Sequence, residues 1–193
     1  MTLRTAVLTD VDQLAQLHAQ QIDEGFLTSL GLPFLRRLYG RVLRSDDCFV
    51  IVDVREDQVS GFVAGVADLG SLYRRFVIRD GVAAAIGSAP RLVRSLPRVI
   101  ETMRYPQAVA DLPSAEILAV AVASRHWGAG IGRSLVRAAV AEFQSRSIAT
   151  AKVVTTTDND RALAMYRAAG FVSTACVEMH AGRSSEVLVW TQS

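Results

Sequence analysis

Eight consecutive residues, Arg125-His126-Trp127-Gly128-Ala129-Gly130-Ile131-Gly132, carry the clearest chemical signal in the chain. Glycines at alternate positions let a backbone approach a ligand closely. They follow a buried-type strand, Glu116 to Val122, and precede a helix whose apolar stripe is Leu135, Val136, Ala139, Val140 and Phe143. A helix N-terminus offers unpaired N–H groups and a partial positive charge, so this loop has the makings of a phosphate or pyrophosphate cradle. A dinucleotide-binding turn wants a third glycine where Arg133 stands, and an acid ending the next strand, where this chain has Thr155, Thr156 and Thr157. A nucleotide P-loop wants Gly-Lys-Ser/Thr, which is absent. The pyrophosphate loop of an acyl-CoA enzyme and a plain strand-to-helix turn both remain open on the loop alone.

Other reactive side chains are sparse. His18, His126 and His180 do not cluster, and no Ser-His-Asp set, catalytic cysteine signature or metal site is visible. Cys48 and Cys176 lie in apolar strand-like runs and are expected to be reduced core residues. Glu116 is the single acid in its strand. A carboxylate there is either a base or a strand-entry residue that is solvated or paired with a cation. Tyr166 sits on an amphipathic helix, where it is either a core aromatic or a proton donor.

The elements that must position these residues follow from periodicity. Leu3 to Val7 reads as a strand, with Thr9 or Asp10 capping a helix marked by Val11, Leu14, Ala15, His18 and Ile22, ended by Gly25. Phe26 to Leu32 reads as a loop, and Pro33 opens a second helix. Cys48 to Val54 and Gly61 to Asp68 read as a hairpin. Ser71 to Ala110, broken by Pro90, Pro97 and Pro106, reads as a helical insert. After the Gly-rich turn come a strand from Ala151 to Thr156, a helix from Asp160 to Ala169 capped by Asp158 or Asn159 and closed by Gly170, and a last hairpin, Phe171 to Met179 and Glu186 to Thr191. This order implies an α/β (α+β) fold, a mixed sheet with helices on its faces. At 193 residues and 50% hydrophobic, the chain suits one domain with a sizeable core. No run approaches the ~18 apolar residues of a membrane span. No basic region precedes an apolar stretch at the N-terminus, so a cytoplasmic location is expected.

With those elements laid out, the chain resembles the GNAT superfamily of acetyl-CoA-dependent N-acetyltransferases. The family's Gln/Arg-x-x-Gly-x-Gly/Ala loop is matched by Arg125, Gly128 and Gly130. Its following signature, an Asn, an Ala-rich helix with a Tyr, then Gly-Phe, is matched by Asn159, Ala162, Tyr166, Gly170 and Phe171. The element order from Leu3 to Trp190 fits as well, apart from the insert. The resemblance implies two central parallel strands that splay apart to admit the pantetheine arm of acetyl-CoA. It implies that backbone groups of Val120, Ala121 and Val122 hold that arm and the thioester carbonyl as an added strand does. Amides from Trp127, Gly128, Ala129, Gly130, Ile131 and Gly132 are implied to take the pyrophosphate, Arg125 to add charge, and Asn159 to touch the cofactor arm. Tyr166 falls where the family often keeps a general acid for the departing thiolate, and Glu116 where some members keep the base that deprotonates the amine. No metal is implied.

The expected partner is a small-molecule amine, acetylated directly in a ternary complex. Gly25 to Pro33, the insert and Glu178 to Glu186 form the expected acceptor side. The run Gly25 to Gly31 with Phe34 and Leu35 faintly resembles members linked to sugar or polysaccharide synthesis, which points to an amino sugar or nucleotide-sugar. A protein or peptide amino group is the alternative acceptor, and a catalytically silent acyl-CoA sensor the alternative class. Charge singles out the insert. The chain carries +2 overall, yet Arg74, Arg75, Arg79, Arg91, Arg94, Arg98 and Arg104 face only Asp80 and Glu101 in this segment. Arg91, Arg94 and Arg98 share a helix face, readable as solvated surface, an anionic-acceptor contact, a homodimer contact or a contact with an anionic membrane surface. Nucleic-acid binding is not expected at this charge without interleaved aromatics, and neither is membrane insertion.

Overall fold

The strands form where β-branched and aromatic residues alternate, and the helices where an apolar stripe recurs every three to four residues. In the computed structural model, residues 2–22, 26–72, 112–179 and 183–192 are described. They comprise β1 (Thr2–Thr5), α1 (Val11–Gln21), α2 (Phe26–Ser29), α3 (Leu32–Val42), β2 (Cys48–Arg55), β3 (Gln58–Val66), β4 (Glu116–Val122), α4 (Ile131–Ser145), β5 (Thr150–Thr156), α5 (Asp160–Arg167), β6 (Val172–Met179) and β7 (Arg183–Thr191). The expected insert lies outside the described residues, except Ser71 and Leu72, which are helical. Gly25 and His180 also lie outside them.

The strands make one seven-stranded sheet in the order β1-β2-β3-β4-β5-β7-β6. β4 and β5 are parallel, and the other neighbours are antiparallel. Each face has its own core. Leu14, Ala15 and Leu17 of α1 and Leu35, Tyr39 and Val42 of α3 pack on Val50, Val52, Phe62, Ala64 and Ala121. On the other face Ile131, Leu135, Val136, Ala139 and Phe143 of α4, with Leu163 and Tyr166 of α5, pack on Phe49, Val63, Ile117, Ala151, Val153 and Leu188. The mixed sheet with helices on both faces is the architecture expected from the sequence.

Several local expectations are corrected. β1 stops at Thr5 rather than Val7, because the Val7 N–H is claimed by the Asp10 carboxylate at 2.8 Å, which turns the chain. Asp10 makes no capping bond to α1. It is instead held in a two-pronged pair by Arg4, at 2.7 and 2.9 Å, which keeps its carboxyl below the usual range. The expected loop from Phe26 to Leu32 contains the single turn α2, with the Thr28 hydroxyl donating to the Ile22 carbonyl. Pro33 does stand in the first turn of α3. The β2–β3 hairpin turns on Glu56 and Asp57, whose φ angles of 49° and 58° suit the twist of a two-residue loop. Cys48 is buried, but Cys176 is exposed, because β6 is an edge strand with β7 as its one neighbour.

Candidate functional site

β4 lies at the centre of the sheet, yet Leu118, Ala119, Val120 and Val122 are only half-buried. The cause is its partnership with β5. The two strands form one ladder pair, Glu116 with Lys152, supported by the Lys152 N–H donating to the Ala115 carbonyl at 2.9 Å. Beyond that pair they diverge, and Val154, Thr155 and Thr156 of β5 are half-buried as well. On its other side β4 stays paired with β3, with Leu118 as the extra residue of a bulge between Ala64 and Gly65. The Ala123 N–H donates to the Ser60 carbonyl at 2.9 Å. By the alternation of an antiparallel ladder, the backbone groups of Val122 and Val120 therefore point away from β3, toward the gap. On this edge the backbone groups of Val120 and Val122 have no strand partner among the described residues.

At the wide end of the gap the chain runs through a short 3-10 turn, Ser124–His126, into the glycines. Gly128 and Gly130 have φ of 82° and 76°, and a Cβ on either would meet nothing within 4 Å. These two glycines thus serve backbone conformation and leave the approach to their amides open. Gly132 serves packing instead, since a Cβ there would lie 2.7 Å from the Met165 sulfur on α5. Gly130 caps α4 without a side-chain bond, leaving the first-turn amides of α4 free. Within the loop the Trp127 and Ala129 amides are already bonded, to the Ser124 and His126 carbonyls. Between Trp127 and Gly132, the amides of Gly128, Gly130, Ile131 and Gly132 are the ones without a partner among the described residues. The Ile131 side chain is core, 1% exposed.

Around this cradle, Arg125 turns to Gln58 at 3.1 Å and to the His126 ring at 3.2 Å. Asn159 caps α5, its side-chain oxygen accepting from the Ala162 N–H at 3.1 Å. Trp127 is 55% exposed. Its indole N–H donates to the Val122 carbonyl at 2.9 Å, and the Arg161 guanidinium stacks 4.6 Å from its ring centre. The β4–α4 loop and the first turn of α5 are thereby tied across the mouth.

Tyr166 and Glu116 are the two titratable groups that the sequence singles out. Tyr166 on α5 is 5% exposed and meets Phe171 edge-on, with ring centres 5.9 Å apart. Burial pushes its phenol well above the ordinary value. Glu116 sits at the narrow end, about 20 Å of strand from Val122. Burial raises its carboxyl, and the Lys152 ammonium 3.3 Å away pulls it back down, with a net rise.

Against this geometry, the sequence profile of the Acetyltransferase (GNAT) family matches residues 13–171. The chain belongs to the GNAT acetyltransferase family. No curated protein matches it. Solved structures similar to this acetyltransferase include the ribosomal-protein-alanine N-acetyltransferase from Brucella melitensis, at 19% identity and a TM-score of 0.67, with 100% of each chain covered. A variant of spermidine N-acetyltransferase from Vibrio cholerae is 15% identical with a TM-score of 0.62, covering 99% of this chain and 95% of that one. The NatC complex bound to Gag peptide and CoA is 14% identical with a TM-score of 0.62, covering 100% and 98%.

In this acetyltransferase the structure gathers Val120, Val122, Gly128, Gly130, Ile131 and Gly132 along one gap, with Trp127 and Asn159 at its wide end. Glu116 is at its narrow end. Ala121 faces the α1–α3 core. The family uses acetyl-CoA, and the open β4 edge leading into a side-chain-free amide cradle fits an extended arm ending in a pyrophosphate. Sequence reasoning missed Arg161 and Lys152. Nothing local marks Arg161, because its partner lies on another element. Lys152 did carry a signal, since a lysine between Ala151 and Val153 in a buried strand demands an acid.

Proposed function

We propose that this acetyltransferase transfers acetyl from acetyl-CoA directly to the primary amine of a small molecule, with no covalent enzyme intermediate. The observation that carries this reading is the gap itself, a strand edge whose Val120 groups and Val122 N–H have no strand partner, running from an anion cradle at one end to a carboxylate at the other. The amides of Gly128, Gly130, Ile131 and Gly132 hold the pyrophosphate, with Arg125 adding charge and Asn159 bordering the arm. Val120 and Val122 pair with the pantetheine, while the ladder through Ala121 keeps their strand in place. Acetyl-CoA supplies the activated thioester. The Val120 N–H donates to the carbonyl oxygen as negative charge develops on it. Glu116 accepts the proton that an amine, with a pKa of ~8–10, carries at neutral pH. As the new N–C bond forms and the C–S bond breaks, the Tyr166 phenol gives its proton to the thiolate, and the second proton shed by the acetylated nitrogen restores the phenol. Its raised pKa keeps that proton in place beforehand.

The chain acts as one catalytic domain in the cytoplasm, with residues 71–110 as its insert. Their arginines favour an anionic acceptor such as a nucleotide-sugar. A second reading, acetylation of a protein or peptide amino group, is supported by similarity to a ribosomal-protein-alanine N-acetyltransferase and to NatC bound to a peptide. A panel of amino sugars, nucleotide-sugars, polyamines and peptides, assayed with acetyl-CoA for thiol release, tests both. Turnover on amino sugars or nucleotide-sugars supports the first reading, and turnover confined to peptides supports the second. Tight acetyl-CoA binding without thiol release on any acceptor overturns both, leaving a silent binding domain.

A further inference from the structure

We infer that Lys152 is a positioning residue for Glu116, holding its carboxylate ionised and aimed along the acceptor face of the gap. The inference rests on Glu116 being the proton acceptor and names what makes it one. Lys152 is the chain's single lysine and is 2% exposed. Its neighbours Ala151 and Val153 pack in the α4 core, so its side chain leaves β5 on the opposite face, toward α1 and α3. Glu116 leaves β4 on that same face, since Ile117 packs in the α4 core. The register then puts the two directly opposite each other in the one ladder pair that β4 and β5 share.

The lysine is fixed from two sides. Its ammonium donates to the Pro113 carbonyl and lies 3.3 Å from the Glu116 carboxylate. The glutamate side chain keeps 16% exposure against 3% for the lysine. The carboxylate is therefore the member that a substrate can reach, and the ammonium is the buried counter-charge behind it.

Among the described residues of β3 and α1, no other charge competes. β3 carries no titratable side chain. On α1, which packs over β4, Asp12 is 69% exposed and paired with Arg36. His18 is buried, shares a 2.7 Å hydrogen bond with Tyr39 of α3, and is kept neutral by a pKa lowered to about 4. A carboxylate on an apolar face gives up its charge unless an opposite charge is close, and here Lys152 is that charge. A pair serving stability alone is commonly replaceable by apolar residues of similar volume. One serving the base is not replaceable without moving the pH dependence.

The test is the pH dependence of kcat/KM for the amine in Lys152→Met, Lys152→Gln and Lys152→Arg, with Glu116→Gln alongside. Lys152→Gln keeps a donor for the Pro113 carbonyl and serves if Lys152→Met does not fold. Both neutral variants should lose about tenfold or more on the acidic side and converge with the parent at high pH, while KM for acetyl-CoA stays put. Lys152→Arg should restore the acidic side. Loss by the same factor at every pH, or an unmoved acidic limb in a folded neutral variant, overturns the role of Lys152. An acidic limb that persists in Glu116→Gln instead removes Glu116 as the base, so the two failures are distinct.

Discussion

Replacing Tyr166 by Phe isolates one oxygen atom. The ring keeps its edge-on contact with Phe171 and its place in the α4 core. The Tyr166 hydroxyl has no hydrogen-bond partner among the described residues, so its removal leaves no orphaned group. The stability cost should stay below about 1 kcal/mol. The rate should suffer far more. General acid catalysis contributes about 10²- to 10⁴-fold, which is roughly 3–5 kcal/mol of barrier. Because product release can mask a chemical step, the readout is the single-turnover rate of thiol release with saturating acetyl-CoA and amine. We expect Tyr166→Phe to slow that step at least about a hundredfold, with the acetyl-CoA dissociation constant within about twofold and the melting temperature nearly unchanged. The parent should show no basic limb from this group at or below the ordinary phenol range, because burial raises its pKa and keeps it protonated. An unchanged single-turnover rate, or weaker acetyl-CoA binding with no rate effect, would refute the assignment of Tyr166 as the acid.

Trp127 should report on the mouth of the gap: acetyl-CoA should change the intrinsic fluorescence of the parent, and Trp127→Phe should abolish most of that change, since Trp190 is 6% exposed. A signal surviving the substitution would place the ligand elsewhere. Asp10→Asn should cost about 1–2 kcal/mol at neutral pH, measured by urea unfolding, because it removes the charge that Arg4 and the Val7 N–H hold. The folded carboxyl titrates below its unfolded value, so this stabilisation is present above the unfolded pKa and fades as pH falls through the folded one; a deficit that persists in acid would count against it. Gly132→Val should cost about 1–3 kcal/mol by forcing α4 from α5, and Met165→Ala in the same chain should recover part of it. Strict additivity of the two substitutions would show that they do not meet.

Where a short stretch decides its own structure, the sequence could be read. Glu116 to Val122 is a strand because seven residues without a breaker are bounded by turn formers, and its observed limits are those expected. Pro33 and Asn159 mark helix starts because a fixed φ and a side-chain acceptor act within one turn. The cradle was legible for the same reason, since positive φ at Gly128 and Gly130 is a local demand. What escaped depends on distant partners. Asp10 looks like a helix cap until Arg4 is alongside. Cys176 looks like core until β6 proves to be an edge. The bond from Trp127 to Val122 needs the strand edge and the loop in one frame. So does the division of the amides from Trp127 to Gly132 into bonded and free.

The single ladder pair between β4 and β5 also bears on how the molecule breathes. Among the described residues, the apolar core under α1 and α3 draws on β2, β3 and β4, with nothing apolar from β5, β6 or β7. The core under α4 draws on both sides of the seam. The two parts of the sheet are thus joined along one face, like book covers sharing a spine, and α4 is the spine. A ligand lying along Val120 and Val122 closes the book by lending the backbone bonds that β5 withholds. Its binding free energy then becomes cohesion of the whole sheet, about 2.7 kcal/mol when the ligand stands at a hundred times its dissociation constant. Amide hydrogen exchange should register this as slowing in β4 and β5 together, including at amides the ligand never touches.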